Sequence, residues 1–121
     1  MDKERIEEDE WSELQRNLGA TIPVYDRINR FATLGQVSKW RRMVREMLPV
    51  GRVLEIGCGP GSFAEDVEGG ELVCLDPIPE MLRVAEERVN SRRLQRNDSP
   101  TEFVEGTAEN LPFDDDSFDA V

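Results

Sequence analysis

A short apolar run that ends in three closely spaced glycines constrains the fold of this chain more than any other feature. Residues 52–56 form the run, and Gly57, Gly59 and Gly61 follow at alternate positions. Glycine adopts positive φ angles freely and lets a backbone approach a ligand closely. A helix that starts after such a loop favours electron-rich groups at its N-terminus. The pattern therefore predicts a strand, a ligand-binding loop and a helix in succession.

Beyond this loop the chain alternates apolar runs with helical patterns. The predicted elements, in chain order, are strand 52–56, helix 62–67, strand 71–75, helix 79–96, strand 101–105 and a strand from 117 onward. Apolar strands that alternate with helices are typical of a parallel sheet covered on both faces. We therefore expect an α/β fold, a Rossmann-like doubly wound parallel sheet, over residues 51–121.

Two segments precede this sheet. Residues 1–23 are expected to form an acidic arm, because seven of the first 13 residues are Asp or Glu. A solvated arm is the favoured interpretation; the alternative is a loosely amphipathic helix through Ile6, Trp11, Leu14 and Leu18.

Residues 24–50 are expected to form the N-terminal helices. Thr33 and Gln36 have the spacing of a capping box, so a second helix is predicted to begin there. Apolar residues recur every three or four positions and form one face: Ile28, Phe31, Leu34, Val37, Trp40, Val44, Met47 and Leu48. The other face of the second helix is basic, through Lys39, Arg41, Arg42 and Arg45.

The composition excludes several functions. The chain has 121 residues, with 15 Lys plus Arg, 26 Asp plus Glu, no His and a net charge of −11. Without His there is no His-based nucleophile activation or metal site. The acidic balance argues against a general nucleic-acid binder. No apolar run is long enough to span a membrane, the polar start is unlike a signal peptide, and two cysteines suit a reducing cytoplasm.

An acid at the end of the second predicted strand gives the glycine loop a partner. Asp76 follows Gly57 by 19 positions, which places it to accept the two hydroxyls of a ribose at the sheet edge. The alternative is an Asp that only forms the turn before Pro77. Ser62 stands where a dinucleotide fingerprint needs its third glycine, and no phosphate-binding lysine follows. Loop and acid together predict a site for a nucleoside without a pyrophosphate.

Two further features lie at or near this edge. The loop after the third strand, from Gly106 to Phe113, is placed to flank an adenine ring, although an ordinary connecting loop has the same form. Cys58 lies at the predicted helix N-terminus, where a thiol can be reactive, but packing by a small residue is the favoured interpretation.

These segments resemble the N-terminal half of class I S-adenosylmethionine-dependent methyltransferases, and more narrowly the ubiquinone/menaquinone biosynthesis C-methyltransferase group. The resemblance over residues 50–121 is carried by VLEIGCGPG at 53–61, by Asp76 with Met81-Leu82, by GTAENLPF at 106–113 and by SFDAV at 117–121. The narrower match uses YDRIN at 25–29, Leu34-Gly35 and Trp40-Arg41.

The resemblance implies S-adenosylmethionine as cofactor and assigns its contacts. The residues implied at the methionine end are Glu55, Gly57, Cys58, Gly59 and Gly61, with Tyr25 and Arg41 as weaker candidates for its carboxylate. Those implied at the ribose and adenine are Asp76, Pro77, Ile78, Met81, Thr107, Ala108 and Glu109. Thr107 stands where many relatives have Asp, so it accepts a hydrogen bond without a charge.

The resemblance also implies a sheet order that begins 3-2-1-4 and methyl transfer to a small-molecule acceptor, quinone-like acceptors included. Family members continue well beyond the matched part, so no catalytic residue is assigned. Two alternatives stay open: a non-catalytic cofactor-binding or interaction module, and a truncated fragment completed by another chain. An uncovered fourth strand predicts self-association or a partner chain at that edge.

Overall fold

The computed structural model describes residues 8–20 and 22–121. Its helices are α1 (Glu8–Ala20), α2 (Tyr25–Ala32), α3 (Gln36–Glu46) and α4 (Pro79–Gln95). Its strands are β1 (Arg52–Ile56), β2 (Glu71–Asp76) and β3 (Glu102–Glu105). Short 3-10 turns lie at Ile22–Val24 and Ala64–Asp66. The second of these replaces the helix predicted at 62–67.

The strands form one parallel sheet in the order β1-β2-β3, which confirms the predicted fold class. The predicted order 3-2-1-4 is corrected, because the segment after residue 117 is not a strand. It forms a single bridge between Val53 and Ala120 on the outer edge of β1. Two backbone hydrogen bonds hold it, from Asp119 N–H to Arg52 O (2.7 Å) and from Leu54 N–H to Ala120 O (3.0 Å). This is too short a ladder for a fourth strand.

The two faces of the sheet are covered differently. On one face Val53, Leu72 and Cys74 pack against Ala85 and Val89 of α4. The other face buries Leu54, Val73 and Leu75, and the loop residues Phe113 and Phe118 pack there edge to face at 5.1 Å. Side chains alternate across a strand, so neighbouring residues of one apolar run serve both faces.

Arg93 fastens α4 to the turn that leads into β2. It is fully buried, and its guanidinium donates to the carbonyl oxygens of Val67 (3.0 Å), Gly69 (3.0 Å), Gly70 (2.9 Å) and Ser99 (2.5 Å). The turn exposes carbonyls that no strand pairs, and one planar donor group satisfies several of them.

The N-terminal helices are present but expose their apolar side chains. α2 and α3 contain no buried residue, and Phe31 and Leu34 are 85% and 89% exposed. α3 begins after Gly35; Thr33 accepts a hydrogen bond from Val37 N–H (3.2 Å), in place of the capping box with Gln36.

Residues 8–20 of the expected acidic arm form the helix α1. Ile6 lies outside the described residues, as do the side chains of Trp11 and Leu18. The division of the chain at residues 23 and 50 stays a prediction.

Candidate cofactor site

The end of β2 joins the two loops that the sequence singles out. Gly57 N–H and Cys58 N–H both donate to Leu75 O, at 2.7 and 3.1 Å. Gly106 N–H donates to Asp76 O at 3.2 Å. The glycine loop after β1 and the loop after β3 are therefore anchored on consecutive residues, and both lie at the carboxyl edge of the sheet.

The carboxylate of Asp76 also holds this arrangement. It is 6% exposed, and Gly59 N–H donates to Oδ2 while Ile78 N–H donates to Oδ1, each at 2.9 Å. The bond to Ile78, two residues ahead, is the turn-forming role that the sequence left open. Each carboxylate oxygen has a second lone pair, so Asp76 keeps the capacity to accept from a ligand hydroxyl.

The three loop glycines have positive φ angles of 71°, 55° and 89°, but for different reasons. A Cβ on Gly61 would lie 2.8 Å from Val89 Cγ2 and 3.2 Å from Ala85 Cα, so this glycine lets α4 approach. A Cβ on Gly59 would meet the Tyr25 hydroxyl at 3.5 Å, while one on Gly57 would meet no atom of the described residues within 4 Å. Gly57 therefore presents the open side of the loop.

Glu55 is a partly buried acid at the end of β1. The Cys74 thiol lies 3.9 Å from its Oε2 and donates to it. Burial raises the pKa of Glu55 to about 7, against the opposing effect of Arg41 and with a further rise from nearby Asp76. The pKa of the Cys74 thiol is raised by its contact with the Cys58 thiol and by burial. Glu55 thus exchanges a proton near neutral pH, and Cys74 stays a neutral thiol.

The adenine-side candidates divide into two groups. Ile78 and Met81 are 6% and 3% exposed, so both are covered by protein. Thr107 is partly exposed and its carbonyl accepts from Asn110 N–H at 3.3 Å, while Ala108 and Glu109 are exposed in the resulting turn. The turn presents accessible groups to the sheet edge, whereas Ile78 and Met81 shape the core beneath it.

A cluster of charged side chains ties α2 to the glycine loop, and the sequence analysis missed it. Asp26 accepts from the Ser62 hydroxyl and from Arg88 (2.7 Å), and Arg88 also donates to both oxygens of Glu65 at 2.7 Å. Burial opposes ionisation of Asp26, but the bonds from Ser62 and Arg88 outweigh it and lower its pKa. One signal was available, since Asp26 is the only acid among residues 24–45.

Two contacts place the N-terminal helices beside the site. Gln15 of α1 donates to Pro77 O at 2.8 Å, and the Tyr25 hydroxyl lies near Gly59. Arg41 of α3 lies 3.9 Å from Asp26, and its charge acts on Glu55. These helices therefore contribute polar groups to the edge where the loops meet.

A parallel sheet with a glycine loop on its first strand and a buried acid at the end of its second defines a Rossmann-like domain that binds a nucleoside cofactor. The family model described as a methyltransferase domain matches residues 54–121, and the chain belongs to this family.

Two curated relatives and one solved structure illustrate the similarity. The demethylmenaquinone methyltransferase of Deinococcus radiodurans is 34% identical over 121 residues, covering 94% of this chain and 48% of that protein. A ubiquinone/menaquinone biosynthesis C-methyltransferase of a Geobacter species is 31% identical over 111 residues, covering 85% and 46%. A methyltransferase structure from Thermotoga maritima, described as a possible histamine N-methyltransferase, aligns with a TM-score of 0.60 at 32% identity, covering 85% and 44%.

These matches confirm the predicted class, its relationship to the quinone group and S-adenosylmethionine as its cofactor. The chain spans about half the length of the curated relatives it matches. The open side of Gly57 and the buried carboxylate of Asp76 fit such a cofactor.

Proposed function

We propose that this chain binds S-adenosylmethionine at the carboxyl edge of β1–β3 and forms the cofactor-binding half of an enzyme that methylates a small molecule. The observation that carries the proposal is the convergence on the end of β2. Both flanking loops are hydrogen-bonded to Leu75 and Asp76, so the groups assigned to the two ends of the cofactor are positioned by one short segment.

Asp76 accepts the ribose hydroxyls with the lone pairs that Gly59 and Ile78 leave free. The open side of Gly57 admits the methionine part, and the turn at 107–109 meets the adenine edge. Thr107 brings no charge to that edge, so the backbone of the turn carries more of the adenine contact.

Glu55 and Arg41 form a charge pair suited to an amino-acid zwitterion. Both line one open groove between α3 and β1, and the charge of Arg41 favours the ionised form of Glu55. Ionised Glu55 pairs with the cofactor's ammonium, and Arg41 pairs with its carboxylate. A pKa of about 7 for Glu55 means that affinity for the ammonium increases as the pH rises through neutrality.

When bound, the cofactor supplies an electrophilic methyl group, which suits a chain without His. The protein's part is to align the acceptor with that methyl and to exclude water. The acids after Phe113 are not assigned as bases, since Asp119 Oδ2 accepts from Arg52 N–H at 2.7 Å and Asp114–Asp116 are exposed.

A quinone-like phenol is the proposed acceptor class. It rests on the names of the relatives, which include demethylmenaquinone methyltransferases. We also propose a cytoplasmic setting, because Cys58 and Cys74 are both free thiols.

Calorimetric titration with S-adenosylmethionine tests the site through two matched glycine variants. Gly57 and Gly69 have φ angles of 71° and 68°, and in the part of the chain that the structure describes a Cβ on either meets no atom within 4 Å. Ala at either position therefore carries the same backbone strain. We expect Gly57→Ala to weaken binding at least about tenfold by blocking close approach, while Gly69→Ala binds like the unaltered chain. Equal binding by the two variants would remove the loop from the site.

A second candidate, a module completed by another chain, is favoured by the edge of β1. Among residues 8–20 and 22–121, one bridge covers that edge. An open groove of about 440 Å³ beside it is lined by Trp40, Val44, Ile56, Phe63 and Val121 among others. We propose that a second copy or a partner chain pairs here, and that this chain alone turns over little substrate. Light scattering over a dilution series tests it: a monomer at about 100 μM, far above modest interface affinities, contradicts self-association.

A further inference from the structure

The charge of this chain is strongly segregated. Residues 24–48 carry six Lys or Arg and two acids, a local charge of +4 in a chain of −11. Arg27, Lys39 and Arg42 are exposed, and none of them forms an ion pair with a residue that the structure describes. This is the part of the chain that an anionic partner would attract.

Exposed apolar side chains lie on the same two helices. Ile28 and Phe31 of α2 are 53% and 85% exposed, Leu34 in the turn is 89% exposed, and Met43 and Met47 of α3 are 51% and 82% exposed. These five side chains lie outside the groove beside β1. Together with Arg27, Lys39 and Arg42 they are called here the basic apolar surface.

The fold does not explain why residue 34 is a leucine. It has a φ of 52°, in the left-handed region. Leu34 N–H donates to Phe31 O (3.3 Å) and Gly35 N–H donates to Arg30 O (2.8 Å), the pattern of a Schellman helix end. Helices place glycine at this position most often, because other residues are strained there. Neither backbone preference nor burial therefore accounts for a leucine.

We propose that the basic apolar surface rests on the interface of an anionic phospholipid membrane. Helices with cations beside exposed Phe, Leu and Met side chains lie in such an interface, with apolar tips inserted and cations at the headgroups. None of the helices in residues 8–20 and 22–121 is long and apolar enough to cross a bilayer, so the contact is peripheral.

A lipid surface fits better than a second copy or an acidic protein. Two copies that met through this surface would bring Arg27, Lys39 and Arg42 of one copy against the same three cations of the other. Phe31 near the end of α2 and Leu34 in the following turn are 85% and 89% exposed, so both side chains are accessible for insertion among headgroups. The repulsion between an anionic membrane and the remaining acids of the chain is screened over about 8 Å at physiological ionic strength. Acids that face away from the membrane therefore oppose binding little.

Vesicle co-sedimentation of the full chain tests the proposal. We expect binding to phosphatidylglycerol-containing vesicles, much weaker binding to pure phosphatidylcholine, and loss of binding in high salt. The double variant Lys39→Gln/Arg42→Gln should bind more weakly by about fivefold for each cation removed. Equal binding to the two kinds of vesicle, or no binding to either, would overturn the proposal.

The variant Leu34→Gly distinguishes a loss of membrane binding from a loss of folding, because glycine adopts the positive φ at this position without strain. We expect about tenfold weaker vesicle binding with no fall in the thermal midpoint. Leu94→Ala is the matched control, since Leu94 is 77% exposed on α4, and it should bind as the unaltered chain does. If Leu34→Gly and Leu94→Ala lost vesicle binding equally, the assignment of Leu34 to the membrane-binding surface would be contradicted. Retention on polyglutamate without vesicle binding, or a dimer that Leu34→Gly dissociates, would favour an acidic protein or a second copy instead.

Discussion

The sheet region and the N-terminal helices are held by different forces. The sheet buries Leu75, Cys74 and Val89 completely and fixes its loops by backbone hydrogen bonds. α2 and α3 bury no residue, and their described contacts with the sheet region are mainly ionic, centred on Asp26 and Arg88. The groups assigned to the ribose are therefore held by the buried core of the sheet. Tyr25 and Arg41 belong to helices that are held mainly by partly exposed ionic contacts.

The largest expected effect lies in the sheet region, at Arg93. Arg93→Met keeps an apolar stem of similar volume but leaves the carbonyls of Gly69, Gly70 and Ser99 without their donor. We expect a loss of about 2–4 kcal/mol in the free energy of unfolding, since several hydrogen bonds from a charged donor are lost at once and each contributes more than a neutral one. Denaturant titration measures it.

Arg92→Met is the neighbouring control for this change. Arg92 is 51% exposed and pairs only with Asp66 at 3.2 Å among the described contacts. Exposed pairs contribute little, so a loss below about 1 kcal/mol is expected. Equal losses at 92 and 93 would show that the buried donor does not hold the turn before β2.

The next prediction tests whether Glu55, which is assigned to the cofactor site, lowers the free energy of unfolding. The pKa of Glu55 is raised from 4.5 to about 7 by burial, so the folded chain binds more protons than the unfolded one between these values, and stability falls as the pH rises through them. Glu55→Gln lacks this fall. We expect it to be about 1–2 kcal/mol more stable than the unaltered chain at about pH 8 and equal near pH 4, while binding S-adenosylmethionine more weakly. A pH-independent difference would contradict the titration of Glu55.

A smaller effect is expected at the contact between the two regions. Asp26→Asn removes a carboxylate whose pKa is lowered by Ser62 and Arg88 against the effect of burial. A lowered carboxyl pKa stabilises the fold above the unfolded value near 4 and is lost as the pH falls through the folded one. We expect a loss of about 1 kcal/mol at pH 7, because the pair is partly exposed, and a progressively smaller loss as the pH falls through the folded pKa of Asp26.

Hydrogen exchange locates the change that Asp26→Asn makes. Amides of α2 should exchange faster while those of β2 stay protected, because only the ionic contact is weakened. Faster exchange in both elements would mean that the two regions unfold as one unit, and the comparison would fail.

The sequence predicted the sheet region well and the helices less well, for physical reasons. The cores of both strands, residues 53–54 and 72–75, are apolar runs bounded by charged residues and turns, a pattern typical of buried strands. The glycines of the loop have the positive φ angles that their type favours. The prediction of a fourth strand was wrong because a strand needs a ladder of backbone hydrogen bonds, and the segment after residue 117 makes two such backbone-to-backbone bonds with β1. The apolar spacing correctly predicted the helices α2 and α3. Such spacing identifies the apolar face of a helix, but it does not show whether another element covers that face. The Asp26 cluster joins residues 26, 62, 65 and 88, a proximity that only the fold creates.

The smallest expected effect is the sharpest comparison of the two regions, because it makes one chemical change in both. Phe31 is 85% exposed, whereas Phe103 of β3 packs against the core formed with α4. Phe31→Ser should alter the free energy of unfolding by no more than about 0.5 kcal/mol, while Phe103→Ser should lower it by about 1–2 kcal/mol, because the Phe103 ring is partly buried. Denaturant titration in dilute solution, without lipid, measures both. A loss above about 1 kcal/mol for Phe31→Ser would mean that the ring packs against apolar groups in solution, because an exposed ring loses almost nothing on truncation. The helices would then be held as the sheet is, by burial, and their ionic contacts would be secondary.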